Sequence, residues 1–88
     1  MDKHYLEFLE ELVYSLREYE NSFWSDWMQK SSLLFQEKAD LNYFFSAFGG
    51  IGSFNDNCFS SITTELITIT YEIATSLRDN RQDSILSI

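Results

Sequence analysis

Apolar residues recur every three or four positions along most of this chain, the spacing of helices that bury one stripe. From about Asp2 to Glu20, Tyr5, Leu9, Leu12, Leu16 and Tyr19 fall on one face, flanked by Phe8 and Val13. Asp2 is placed to cap the start, where negative charge is favourable. Asn21 and Ser22 break the pattern and offer a cap for a second helix, about Phe23 to Lys38. Its apolar arc is wide, with Phe23, Trp27 and Leu34 in the middle and Trp24, Met28 and Phe35 along one flank. Such breadth predicts two neighbours, and both tryptophans are expected in the core or at its rim. Leu33 lies off the arc and is expected outside.

Asp40 is read as the cap of a short third helix, Leu41 to Phe48, with Leu41, Phe44, Phe45 and Phe48 on one side and Tyr43 pointing elsewhere. Ala39 and Asp40 leave almost no loop, so the second and third helices should meet at a sharp corner. A fourth and longest helix is predicted from about Asn57 to Asn80, with Phe59, Ile62, Leu66, Ile69, Ile73 and Leu77 as its packing seam. Composition argues the other way, because Ile62, Thr63, Thr64, Ile67, Thr68, Ile69 and Thr70 are β-branched and favour strands. Helix is preferred for three reasons. The spacing persists for about five turns, Glu65 and Glu72 fall opposite the seam, and a lone strand would have no partner. Arg78 and Arg81 then sit near the helix's C-terminal end, where positive charge is favourable. Asn80 is expected to end it, and residues 82–88 to fray. The predicted fold is a single all-α domain over residues 1–88, a bundle of about four helices.

All three glycines lie in Phe48-Gly49-Gly50-Ile51-Gly52-Ser53-Phe54-Asn55-Asp56, between the third and fourth helical patterns. Gly49 is suited to the left-handed residue that closes a helix. Ser53, Asn55 and Asp56 can cap the next one. A phosphate-cradling loop would need a preceding strand and usually a Lys or Arg, and no basic residue occurs between Lys38 and Arg78. The run therefore reads as a hinge.

The same run resembles the signature of a small bacterial family of unknown function, Phe-Gly-Gly-x-Gly-Ser-x-Asn-Asp. Proteins similar to it tend to be encoded beside polymorphic toxins, which implies immunity proteins. The resemblance is close over Phe48 to Asp56 and looser over the helical stretch before it. Directly after Asp56 the family pattern has an apolar residue, where this chain has Asn57-Cys58. The resemblance implies a context and supplies no active-site residues.

Charge narrows the partners. Fourteen acids against six bases give a net charge of −8. A duplex-binding protein would carry a basic face, and an anionic membrane leaflet attracts basic segments. Nucleic acid and membrane are therefore not expected as ligands. A basic protein surface is the electrostatic complement, while plain solubility explains the same acidity. The first helix offers a place for such contact. Glu7, Glu11 and Glu18, with Glu10 beside them, line its polar face, and Tyr14 stands among them. Tyrosine is enriched at interface hot spots, although lone exposed tyrosines are common.

Reactive groups are sparse. His4 is the only histidine and sits near the chain's start; Cys58 is the only cysteine, flanked by Asn57 and Phe59. A nucleophile needs an adjacent base, a reactive thiol needs nearby positive charge, and zinc needs several Cys or His. No enzyme activity, metal or cofactor is expected. One cysteine precludes an internal disulfide and fits a reducing cytoplasm. Met1-Asp2-Lys3-His4 opens no signal peptide, and no stretch is long and apolar enough to span a membrane.

The leading expectation is an immunity protein that occludes a toxin's basic active-site face, with Glu7, Glu11, Tyr14, Glu18, Asn55 and Asp56 as contact residues. A phage or mobile-element inhibitor that mimics nucleic-acid charge is the alternative, and a self-associating helical domain forming a homodimer is a third.

Overall fold

The computed structural model describes residues 3–48 and 59–86, with side-chain environments through residue 80. Its elements are α1 (Lys3–Tyr19), α2 (Ser22–Lys38), α3 (Asn42–Phe45) and α4 (Ser61–Leu86). The fold is an all-α bundle, and no strand occurs among the described residues. Helix α1 is the centre, packed against α2 on one side and α4 on the other.

The predicted stripe of α1 is the core of the molecule. Tyr5, Leu9, Leu12 and Leu16 are all fully buried. Tyr19, expected to continue that stripe, is instead 67% exposed. Asn21 caps α2 as predicted, its Oδ1 accepting the Trp24 N–H at 3.0 Å.

The buried face of α2 differs from the expected one. Trp24, Ser25, Met28, Ser31, Ser32 and Phe35 are buried, whereas Phe23, placed mid-arc by its spacing, is 61% exposed. The face is turned by about one residue because small serines let α1 and α2 approach closely. They stay hydrogen-bonded there, as buried polar groups must. Ser25 donates to the Val13 carbonyl and Ser31 to the Trp27 carbonyl, each at 3.0 Å. Leu33 is exposed, as its off-arc position predicted.

The sharp corner after α2 is made by Ala39, in the left-handed region at φ 55, ψ 35. Its N–H donates to the Phe35 carbonyl at 2.8 Å. Asp40 Oδ2 then accepts the Tyr43 N–H at 3.1 Å, the expected capping contact. Regular helix does not last to Phe48 as expected. Beyond Phe45 the chain tightens into turns, with Ala47 donating to the Phe44 carbonyl and Phe48 to the Phe45 carbonyl. Three-residue closure of this kind is common at helix ends.

Aromatic rings join α3 to its neighbours. Phe44 is fully buried and meets Tyr5 of α1 edge-on at 5.7 Å and Tyr71 of α4 at 6.5 Å. Tyr71 also receives Phe45 and Phe48 edge-on, at 5.4 and 4.8 Å. On the other side Tyr43 stacks on Trp27 at 4.6 Å, and Trp27 Nε1 donates to the Tyr43 carbonyl at 3.2 Å.

Helix α4 begins at Ser61 rather than near Asn57 and runs through Asn80 to Leu86. Asn80 is therefore not its end, and Arg78 and Arg81 are not in its last turn. Arg78 instead lies 4.4 Å over the Phe45 ring, a cation–π contact. At about 1.5 Å per residue, 26 residues span about 39 Å, which sets the 44 Å long axis of the molecule.

Most of the predicted seam of α4 faces inward, Phe59, Leu66, Ile73 and Leu77 being partly buried against the core. Among the described side chains of α4 the fully buried ones are Thr63, Thr70 and Ala74, and the seam residues Ile62 and Ile69 are 64% and 37% exposed. Close approach to α1 selects the small residues. Their hydroxyls are satisfied, Thr70 Oγ1 donating to the Leu66 carbonyl at 2.6 Å, and this back-bonding also reconciles threonine with a helix. Glu65 and Glu72 are exposed. Asp2, Gly49, Ser53, Asn55 and Asp56, all read as caps or contacts, lie outside the described residues.

Candidate partner-binding face

On α1, Glu7, Glu11, Tyr14 and Glu18 follow at intervals of four, three and four, which places them in one row on the side away from the core. All four are exposed, and Tyr14 is 57% exposed. Beside this row an open groove of about 660 Å³ runs between α1 and α4. Glu7, Glu10, Glu11, Tyr14 and Tyr19 form its α1 wall, and Ile62 and Leu66 form the α4 wall. The structure thus brings Glu7, Glu11 and Tyr14 together. Glu18 shares their row but does not line the groove. Asn55 and Asp56 fall outside the described residues.

Among the described residues no Lys or Arg lines this groove. His4 Nδ1 stands 3.7 Å from Glu7 Oε1, and both side chains are largely in solvent. The face can attract cations and offer flat aromatic and aliphatic contact. No three His, Cys, Asp or Glu side chains among the described residues gather closely enough to hold a metal ion. Tyr19 and Ile62 fall on predicted core stripes and are exposed here, whereas Leu66 packs against the core as its spacing predicts while also lining the groove.

A second polar cluster, also missed, fastens the end of α1 to the start of α4. Glu20 Oε2 accepts the Ser60 N–H at 3.1 Å, the Ser60 hydroxyl at 2.7 Å and the Thr63 hydroxyl at 2.8 Å. Thr63 Oγ1 lies 2.6 Å from buried Ser15 Oγ. With Thr63 donating to Glu20, Ser15 donates to Thr63, and each hydroxyl proton has one acceptor. A carboxylate at this helix N-terminus is also favoured by the helix dipole. The signal was present in Ser60-Ser61-Ile62-Thr63, a serine just before a helical run, but the partner forty residues upstream was not readable.

This cluster has a pH signature. The Ser60 hydroxyl, above all, lowers the Glu20 pKa; partial burial opposes it, and the Ser60 amide and Thr63 hydroxyl add to the lowering. A carboxyl with a depressed folded-state pKa stabilises the fold fully above its unfolded pKa. That stabilisation is lost as pH falls through the folded value. Glu20→Gln is expected to cost about 1 kcal/mol at neutral pH, a charged hydrogen bond discounted for solvent. Its deficit against wild type should close as pH falls through the acid range. Urea denaturation at several pH values measures this, and a constant deficit from neutral to strongly acid pH rules the latch out.

The model of a domain of unknown function, DUF6966, matches residues 17–66, more than half of the chain. The match runs from the last turn of α1 through α2 and α3 into the first turns of α4, and so contains Glu20, Ser60 and Thr63. Glu7, Glu11 and Tyr14 precede it. No curated protein and no solved structure matches the chain. With a match of that extent, the chain belongs to the DUF6966 family.

Proposed function

We propose that this protein is an immunity protein: it binds a cognate bacterial toxin in the cytoplasm and neutralises it by covering the toxin's basic active-site face. The reading is carried by one observation, the row Glu7, Glu11, Tyr14 and Glu18 beside an open groove that no Lys or Arg lines among the described residues. Toxins that act on nucleic acids or nucleotides need positive clefts for anionic substrates. A rigid helix presenting carboxylates and an aromatic ring is a steric and electrostatic plug for such a cleft. The action is binding alone, with no cofactor and no turnover. The resemblance of Phe48 to Asp56 to toxin-associated proteins supports the same context.

Affinity capture from the native host, with the full chain as bait, tests this. The expected prey is a toxin whose expression arrests growth, with co-expression of this chain restoring it. Capture of a nucleic-acid enzyme with no toxic activity would favour the mobile-element inhibitor instead. Turnover of a small molecule by the purified chain would end the binding-only reading.

A further inference from the structure

Helix α4 carries a wide apolar arc that the bundle covers only in part, Leu66 and Ile73 packing against the core and Ile62 and Ile69 standing outside it. Thr63, Thr70 and Ala74 are buried in the bundle. The larger side chains Ile62, Leu66, Ile69 and Ile73 recur at four, three and four, the alternation that a second helix covers in a coiled coil. Here Ile62 and Ile69 are exposed, and Leu66 and Ile73 are half-buried. From Ile62 to Ile73 the ridge rises about 16 Å, three turns of helix.

The ridge borders a trough. The groove of about 660 Å³ at Ile62 and Leu66 is followed by one of about 400 Å³ at Ile69 and Ile73, where Phe8 of α1 forms part of the lining. Both lie between α1 and α4, so they succeed each other along one seam. Acids stand on both sides. Glu7 and Glu11 project from α1, and exposed Glu65 and Glu72 from the outer side of α4. Neither part of the trough is lined by Lys or Arg among the described residues.

The geometry points to a basic amphipathic α-helix of a partner protein as the occupant of this trough. Its apolar residues at i, i+3 or i+4 and i+7 seat against Ile62, Leu66, Ile69 and Ile73. Its Lys or Arg residues on either flank meet the two acidic margins. A second copy of this chain is the poorer fit, since it would set these carboxylates against their own kind in a chain of net charge −8. The inference rests on reading this face as the contact with a macromolecular partner, and adds what that partner brings.

The probe is a synthetic peptide of about 18 residues, five turns of helix, with Leu at the seam positions, Lys on the flanks and Ala elsewhere. A peptide with Glu in place of Lys serves as its control. Titrated into the full chain, the Lys peptide is expected to bind one to one and become helical, and the Glu peptide not to bind. Methyl chemical shifts should move at Ile62, Ile69 and Ile73 and stay still at Leu33 of α2. Ile62→Ser/Ile69→Ser, which leaves the charge unchanged, should weaken binding at least tenfold. Phe23→Ser, which removes an equally exposed ring elsewhere, should change it less than twofold.

Equal loss in the two variants, no loss in either, or shifts spread over the whole surface would leave only diffuse charge attraction and overturn the inference. So would a wild-type dimer by sedimentation that the double Ile variant makes monomeric, because the occupant would then be a second copy. If capture from the host yields no toxin while the peptide still seats on the ridge, the immunity reading alone fails. A toxin that binds wild type and the double Ile variant equally well removes this inference alone.

Discussion

Phe44→Ala is expected to lower the free energy of unfolding by about 3–5 kcal/mol. The ring is fully buried and has two jobs at once. It fills the space between α1 and α4, against Tyr5 and Tyr71, and it anchors the single turn of α3 with Phe45 and Phe48. A one-turn helix has no stability of its own, because helix nucleation is unfavourable. The cavity therefore cannot be closed without loosening the aromatic cluster that holds α3. A domain of this size has about 5–15 kcal/mol in total, the lower half being usual for a short chain. At about 4–8 °C per kcal/mol, the midpoint should drop by roughly 12–40 °C. Thermal and urea unfolding measure it. Phe23→Ala, at an exposed aromatic of α2, should stay within about 0.5 kcal/mol. Equal losses at the two sites would mean that Phe44 is no hub.

Reversing Glu7, Glu11 and Glu18 to Lys together is expected to slow association with a basic partner at least tenfold at low ionic strength while leaving the fold intact. All three side chains are exposed on one row of α1, so none supports the core. Each reversal is worth two units, and the net charge falls from −8 to −2. Electrostatic steering lifts association from about 10⁵–10⁶ to as much as 10⁸–10⁹ M⁻¹s⁻¹, and the row contributes to that long-range field. The difference between variant and wild type should shrink as salt rises, since the screening length falls to about 3 Å at 1 M. Stopped-flow kinetics against the captured partner, at two salt concentrations, is the measurement. An unchanged rate at low salt removes the electrostatic part of the proposed mechanism.

These two predictions differ in how far the sequence already carried them. The carboxylate row was legible because an interval of four, three and four puts side chains on one face of any helix, whatever else the chain does. Phe44 was legible as a core residue, but its role as a junction was not. That role depends on Tyr71 arriving from α4, and Tyr71 belonged to no predicted seam. The groove was half legible for the same reason. Its acidic wall comes from one helix; on its apolar wall Leu66 is half-buried against the core, as periodicity predicts, and Ile62, placed inside by the same rule, is exposed.

What the sequence alone determined is the set of helices, the N-terminal caps of α2 and α3 and the acidic row, since these follow from contacts within a few residues of each position. Asn21 capping α2 and Asp40 capping the next turn are of this kind. Only the tertiary structure decided which face α2 and α4 bury most deeply. On α2 and α4 the core took the faces bearing Ser25, Ser31 and Ser32, and Thr63, Thr70 and Ala74. Small side chains allow close helix approach, and their hydroxyls can be satisfied by nearby carbonyls or by Glu20. A hydropathy pattern ranks Ile above Thr and Phe above Ser, but burial depends on whether a neighbour fits and whether each polar atom finds a partner. That choice left Phe23, Ile62 and Ile69 outside.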